Sequence, residues 1–309
     1  MRRLALASLA GIVLLAACGS DDETTTETTA APATTAAPAT TAAPETSAAP
    51  ETTAAAGSAA AECAAGKTVG DGVLTIATGE PAFPPYVIDD APESGQGFEA
   101  AVALAVAREL GFEGDAVAWI RTPFDTVIGP GLKDFDFNLQ QYTITDERKE
   151  VVDFSEGYYT AAQAIFGLAD SQAASAASIA DLKPLNIGVA AGTTSVQYVE
   201  DVIQPEGEIF VFDDNAAAKA ALEAKQIDAI VSDLPTALYI TAVEIEGTTV
   251  FGQIEGSGTD EFGLLLAKDN PLTECVNLAL AAIRDSGELE AITVEWMSEY
   301  TEAPIIAAS

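Results

Sequence analysis

Histidine is absent from the 309 residues, and Lys and Arg together number 13 against 48 Asp and Glu. The first absence removes the commonest general base at neutral pH and the commonest zinc ligand together. The shortage of cations, with no basic stripe anywhere, argues against a nucleic-acid surface, because phosphate backbones need clustered Lys and Arg. It argues equally against adhesion of a folded part to anionic lipid. A formal net charge of −35 instead keeps a chain soluble and favours a monomer. Cysteine occurs three times, at Cys18, Cys63 and Cys275, with no two close enough for a CxxC metal or redox motif. The apolar run Leu4 to Ala17 is short of the roughly 20 residues that a membrane-spanning helix needs.

What is present begins with Met1-Arg2-Arg3 ahead of that run, the layout of a secretory signal. Its end, Leu15-Ala16-Ala17-Cys18-Gly19, resembles a bacterial lipobox. That resemblance implies loss of residues 1–17 and a diacylglyceryl group on Cys18 as the mature N-terminus; an ordinary signal cleaved nearby is the other reading. From Ser20 to roughly Ala61 the chain is low in complexity, with TAAPAT, TAAPET and SAAPET and prolines at 32, 38, 44 and 50. Lacking large side chains and any apolar period, it cannot offset its ordering entropy, so residues 18–66 are expected to be an anchor and disordered, extended tether. With Cys18 lipidated, Cys63 and Cys275 form the one intramolecular disulfide available in an oxidising compartment; two free thiols are the alternative.

From Val69 the pattern changes. Val73–Ala77 reads as a strand, Phe98–Leu110 as a helix with apolar residues at helical spacing, and Val117–Ile120 as a strand. Phe124–Leu132 then reads as a short helix and Phe135–Leu139 as a strand. This βαβαβ order predicts a parallel α/β sheet. A second set follows: strands at Leu185–Val189, Ile209–Phe212 and Ile227–Val231, and helices at Ser195–Ile203, Asn215–Ala224 and Pro235–Val243. A strand at Phe262–Ala267 and helices at Leu272–Asp285 and Leu289–Tyr300 complete the chain.

Ligands of such sheets bind at the carboxyl ends of strands. Three candidates stand there: Arg148 after the strand at 135–139, Gly192-Thr193-Thr194 after the strand at 185–189, and Asp233 after the strand at 227–231. A cation, an anion-binding helix start and a carboxylate together suit a zwitterion. Each has a plainer reading. Arg148 could pair with surface acids, Thr194 could simply start its helix, and Asp233 could cap the helix at Pro235.

The motifs GEPAFPPY, GFEAAVALAVARELGF, TITDERKEVVDFSEGYY, DLKPLNIGVAAGTTS, ALEAKQIDAIVSDLPTA and FGLLLAKDNPLTECVNLALAAIRDSGELEAI occur in that order between Val73 and Met297. Together they resemble the amino-acid-binding (family 3) solute-binding proteins of ABC importers, in their lipid-anchored Gram-positive form. The resemblance implies an α/β, two-lobed type 2 periplasmic-binding-protein fold with the ligand cleft between lobes. Residues 67–164 and 260–309 should form lobe 1 and residues 165–259 lobe 2, joined by two crossover strands near Ala161–Leu168 and Glu261–Lys268. It further implies that Arg148, the arginine of TITDER, grips a ligand α-carboxylate with Thr194, that Asp233 takes the α-ammonium, and that Thr143 stands beside them. Phe83 and Phe124 would flank the ligand side chain, and Glu80 would sit at the mouth. Gln140 and Gln141 depart from the family, which usually has Ser or Gly there; they reduce room and add hydrogen-bonding groups.

The implied protein is an extracytoplasmic monomer, not an enzyme. It touches the bilayer only through Cys18, captures a polar or cationic amino acid and delivers it to an ABC permease, with no cofactor, metal or nucleic acid. Two rivals remain. One is a cyclohexadienyl or arogenate dehydratase-like enzyme with Glu80 as its acid. The other is a sensing module for a membrane receptor.

Overall fold

A computed structural model describes residues 58–257 and 260–308. The expected signal, Cys18 and nearly all of the Thr/Ala/Pro stretch lie outside the described residues. Helix α1 (Ala59–Ala64) opens the described chain, with the Ser58 hydroxyl accepting from Ala61 N. Strand β1 (Leu74–Gly79), helix α2 (Phe98–Glu109), strand β2 (Val117–Thr122), helix α3 (Phe124–Ile128) and strand β3 (Phe137–Asn138) follow. Helix α4 (Asp146–Lys149) leads into two long strands, β4 (Val152–Ala161) and β5 (Gln163–Leu168). Next come α5 (Ile179–Leu182), β6 (Ile187–Ala190), α6 (Thr194–Tyr198), β7 (Ile209–Phe212), α7 (Asn215–Glu223), β8 (Ala229–Asp233), α8 (Leu234–Tyr239) and β9 (Thr248–Ile254). Strand β10 (Asp260–Ala267), helices α9 (Thr273–Asp285) and α10 (Glu288–Met297) and strand β11 (Ile305–Ile306) end the chain.

Two sheets result, ordered β2-β1-β3-β10-β4 and β11-β9-β5-β8-β6-β7. The expected parallel units are present: β1 pairs parallel with β2 and β3, and β6 with β7 and β8. Neither sheet is wholly parallel, because β10 runs antiparallel to β3 and β4, and β5 antiparallel to β8 and β9. Alternating burial is weak in β4, β5 and β9, which is why periodicity did not single them out. The helix expected over Phe124–Leu132 stops at Ile128, since Gly129-Pro130-Gly131 cannot continue it.

Three boundaries differ from expectation. Helix α1 lies inside the predicted tether, yet Ala60 and Ala64 are buried in the lobe 1 core against α2 and α9. Its composition, AAAECA, is helix-forming, and the Cys63–Cys275 disulfide, with Cα atoms 5.4 Å apart, fixes it to α9. Strand β5 belongs to the second sheet from Gln163 and β10 to the first from Asp260, so the crossings precede the strands expected to make them: the chain changes sheet at Ala162 and between β9 and β10. The tail was assigned to lobe 1, but β11 pairs with β9 in lobe 2, and Ile306 is buried in that lobe's core. The chain therefore passes between lobes a third time.

Candidate functional site

The lobes enclose a cavity of about 270 Å³, and Glu80, Phe83, Phe124, Gln140, Gln141, Thr143, Arg148, Thr194 and Asp233 all line it. Hydrogen bonds span the cleft: Arg148 Nη2 donates to Gly192 O at 2.8 Å and Gln197 Nε2 to Glu147 Oε2 at 3.3 Å. Thr236 Oγ1 donates to the Tyr86 hydroxyl at 3.4 Å. The lobes are thus closed upon one another.

Lobe 1 supplies the loop after β1. Arg121 on β2 staples it, donating Nη1 to Gly79 O at 2.9 Å and pairing with Asp90 Oδ1 at 2.7 Å. Asp90 in turn accepts from Ala82 N at 2.9 Å. Held this way, the loop carries Glu80, exposed at the mouth, and Phe83, whose ring lies 5.0 Å from Lys219 Nζ. Lys219 is paired with Glu244 at 2.6 Å and does not line the cavity. Across from this loop, Phe124 stacks on Tyr142 with ring centroids 4.9 Å apart.

Arg148 enters on α4, whose cap is Thr145: the Thr145 hydroxyl accepts from Arg148 N at 3.1 Å. The TITDER spacing thus places a capping threonine three residues before the arginine. The guanidinium donates Nη1 to Thr143 O at 2.7 Å and lies 5.6 Å from the Phe124 ring. It forms no ion pair with any described acid. That result removes the plainer reading of Arg148. Burial lowers its pKa, and the Asp233 and Asp260 carboxylates oppose that shift.

Asp233 occupies the N-cap position of α8, yet its side chain makes no capping bond. Its Oδ1 instead accepts from Gln163 Nε2 at 3.0 Å. Burial, then the neighbouring Asp260 charge, pushes its carboxyl up to about 8, while Arg148 and the Gln163 hydrogen bond hold it down. Thr194 does open its helix, α6, and its hydroxyl donates to Asp260 Oδ2 at 3.2 Å. Its one proton is therefore committed to Asp260 and its oxygen faces Gln163 Nε2 at 3.5 Å, so the Thr194 side chain has no donor for the α-carboxylate that the resemblance assigned to it, and that contact falls to Arg148.

Sequence reasoning missed Gln163, Asp260 and Glu99. Gln163 stands where the chain crosses between lobes and is buried. Its Nε2 lies 2.6 Å from Asp260 Oδ2, and its Oε1 accepts from Ser195 Oγ at 2.7 Å. Ser257, on the other crossing, receives Gln163 N at 3.0 Å. The residues at the two crossings are thereby tied to each other and to Asp233 and Thr194. The available signal was one polar residue at the head of an apolar strand, QAIFGL. Asp260, at the head of β10, gave none.

Residues 74–299 match the family described as bacterial extracellular solute-binding proteins, family 3. The chain is 29% identical over 220 residues to the L-cystine-binding protein TcyJ of Escherichia coli K12, covering 70% of this chain and 80% of that protein. Its fold is similar to an ancestral arginine-binding protein bound to glutamine, at 33% identity and TM-score 0.63, over 74% of this chain and 98% of the other. It is also similar to the ancestral amino acid-binding protein AncCDT-1, a precursor of cyclohexadienyl dehydratase. That pair shares 30% identity with TM-score 0.61, over 73% of this chain and 95% of the other. A two-lobed α/β fold closed over a cavity and a family match spanning both lobes lead to one conclusion: the chain belongs to family 3 of the bacterial extracellular solute-binding proteins.

Proposed function

We propose that the protein captures a free amino acid outside the cytoplasm and delivers it to an ABC import permease, held at the membrane by a lipid on Cys18. The observation that carries the capture reading is a buried arginine without an acidic partner facing the same closed cavity as a half-buried aspartate. Arg148 would take the ligand α-carboxylate, for which a planar guanidinium offers two parallel donors. Asp233 would take the α-ammonium, restoring the charge that burial disfavours. The relatives support the substrate class, since their names refer to cystine, arginine and glutamine. Phe83 and Phe124 offer flat walls to the side chain, and no second cation lines the cavity among the described residues. A polar or cationic amino acid is therefore favoured over aspartate or glutamate.

AncCDT-1 gives the dehydratase alternative its one point of support. Glu80, the acid that reading needs, is exposed at the mouth rather than held against a bound ring. The test is a thermal-shift panel of the twenty amino acids, with prephenate incubated separately. A ligand at 100 times its Kd stabilises by about 2.7 kcal/mol, roughly 5–10 °C for a unit of this size. Such a shift from one polar or cationic amino acid, with prephenate unconsumed, is expected. No shift from any amino acid would overturn the reading.

A further inference from the structure

Glu99 is a carboxylate without a cationic partner, buried at 1% exposure at the start of α2. It does not line the ligand cavity itself and reaches it through Gln141. Its Oε1 accepts from Gln141 N at 2.7 Å and from the Tyr158 hydroxyl, and its Oε2 accepts from Gln141 Nε2. One carboxylate therefore grips Gln141 twice, by backbone and by side chain. Gln141 has φ +52°, a left-handed conformation that non-glycine residues rarely adopt, and this double grip holds it there. Gln141 also lines the cavity.

The two ends of a carboxamide are chemically opposite, one accepting and one donating. An ionised Glu99 accepts only, so it must receive the Gln141 NH₂ end. The Oε1 end is left over: no described residue donates to it, and it is not a buried, unpartnered atom. Gln140 does not duplicate this, because its Oε1 already accepts from the Tyr142 hydroxyl at 3.0 Å. We propose that Glu99 is a positioning residue for ligand selection: it turns the Gln141 carbonyl toward the ligand side chain and so selects amino acids whose side chains end in an N–H donor. This rests on the reading that the cavity captures an amino acid.

Burial pushes the Glu99 carboxyl up to about 7, opposed by its hydrogen bonds from Tyr158 and Gln141. The other titratable groups that sense its charge are Tyr86, Tyr142 and Asp233. At pH 8 Glu99 is mostly ionised, and the test is made there.

Glutamine and glutamate are near-isosteric and differ in whether the side chain ends in N–H, so their dissociation constants by calorimetry give the readout. Wild type should prefer glutamine by at least tenfold. Glu99→Gln offers an NH₂ group where Oε2 stood, so Gln141 turns over and presents its own NH₂ to the cavity. The glutamate-to-glutamine Kd ratio should then fall at least tenfold, a change of rank that general loosening of the site does not produce. A folded Glu99→Gln protein whose ratio stays within threefold of wild type overturns the inference alone. If that variant does not fold, Gln141→Met decides: loss of the discrimination supports the inference, and an unchanged ratio overturns it. A wild type that binds no amino acid overturns the capture reading and this inference together.

Discussion

Arg148 spends two of its five N–H donors on the carbonyls of Thr143 and Gly192, which leaves three for a ligand. Because Gly192 belongs to the opposite lobe, the same side chain serves closure and capture. Losing one partner of a desolvated charge pair costs about 2–5 kcal/mol, or roughly 30-fold to several-thousand-fold in affinity. Arg148→Ala should show that loss by calorimetry. Arg148→Lys should be nearly as harmful, since an ammonium cannot reach both carbonyls and a carboxylate with its three donors; binding by Arg148→Ala within threefold of wild type would refute the assignment. Asp233 adds a pH dependence. In the empty cleft its carboxyl is pushed up to about 8, and an α-ammonium partner lowers it, so capture at pH 7 should release protons. Affinity should rise as pH approaches about 8. Calorimetry in two buffers of different ionisation enthalpy measures the release, and identical heats would contradict it. For the ligand-free protein the sign is opposite. A carboxyl whose folded pKa lies above its ordinary 3.8 stabilises most at low pH, and that contribution is lost as pH rises through about 8. Glu99, raised to about 7, acts in the same direction.

At the scale of elements, the family match ends at residue 299, while β11 lies beyond it at Ile305–Ile306. This tail is anchored by Gln253 N to Pro304 O at 2.8 Å, Glu255 N to Ile306 O at 3.0 Å and Ile179 N to Ala307 O at 3.0 Å. Fully burying an isoleucine stabilises by about 1.5–3 kcal/mol. Truncation after Tyr300 uncovers the β9 edge and removes Ile306. The melting temperature should fall by about 3–10 °C, and a ligand should leave several-fold faster, because a third tie between lobes is gone. Stopped-flow release and thermal melting measure these, and unchanged values for both would show the tail to be passive. The disulfide acts at the other end of the chain. It closes a 212-residue separation and keeps α1 on α9, where a six-residue helix has too few turns to persist alone.

For the whole molecule, a net charge of −35 favours solubility through self-repulsion. A single acyl chain holds a membrane only marginally, whereas two anchor stably, so a diacylglyceryl group on Cys18 would suffice. Cys18→Ala in the full chain should shift the protein from the detergent phase to the aqueous phase or leave uncleaved precursor. Unchanged partitioning of that variant would remove the anchor from the account.

Local chemistry by itself determined much of this protein. Apolar spacing marks α2 and α9, strand-end positions mark Arg148, Thr194 and Asp233, and the TITDER cap places the arginine. These features depend on residues a few positions apart, so they are legible in one dimension. Other features depend on residues far apart in sequence. Glu99 lies within the motif GFEAAVALAVARELGF, and nothing near it in sequence says what its carboxylate meets until the fold brings it 2.7 Å from Gln141 N. Gln163 joins Asp233, Asp260 and Ser195 only because both interlobe crossings pass one point. Sheet direction, the docking of α1 and the return of β11 to lobe 2 were likewise decided by tertiary packing. Buried polar groups require partners, and which partners are available is a property of the folded chain.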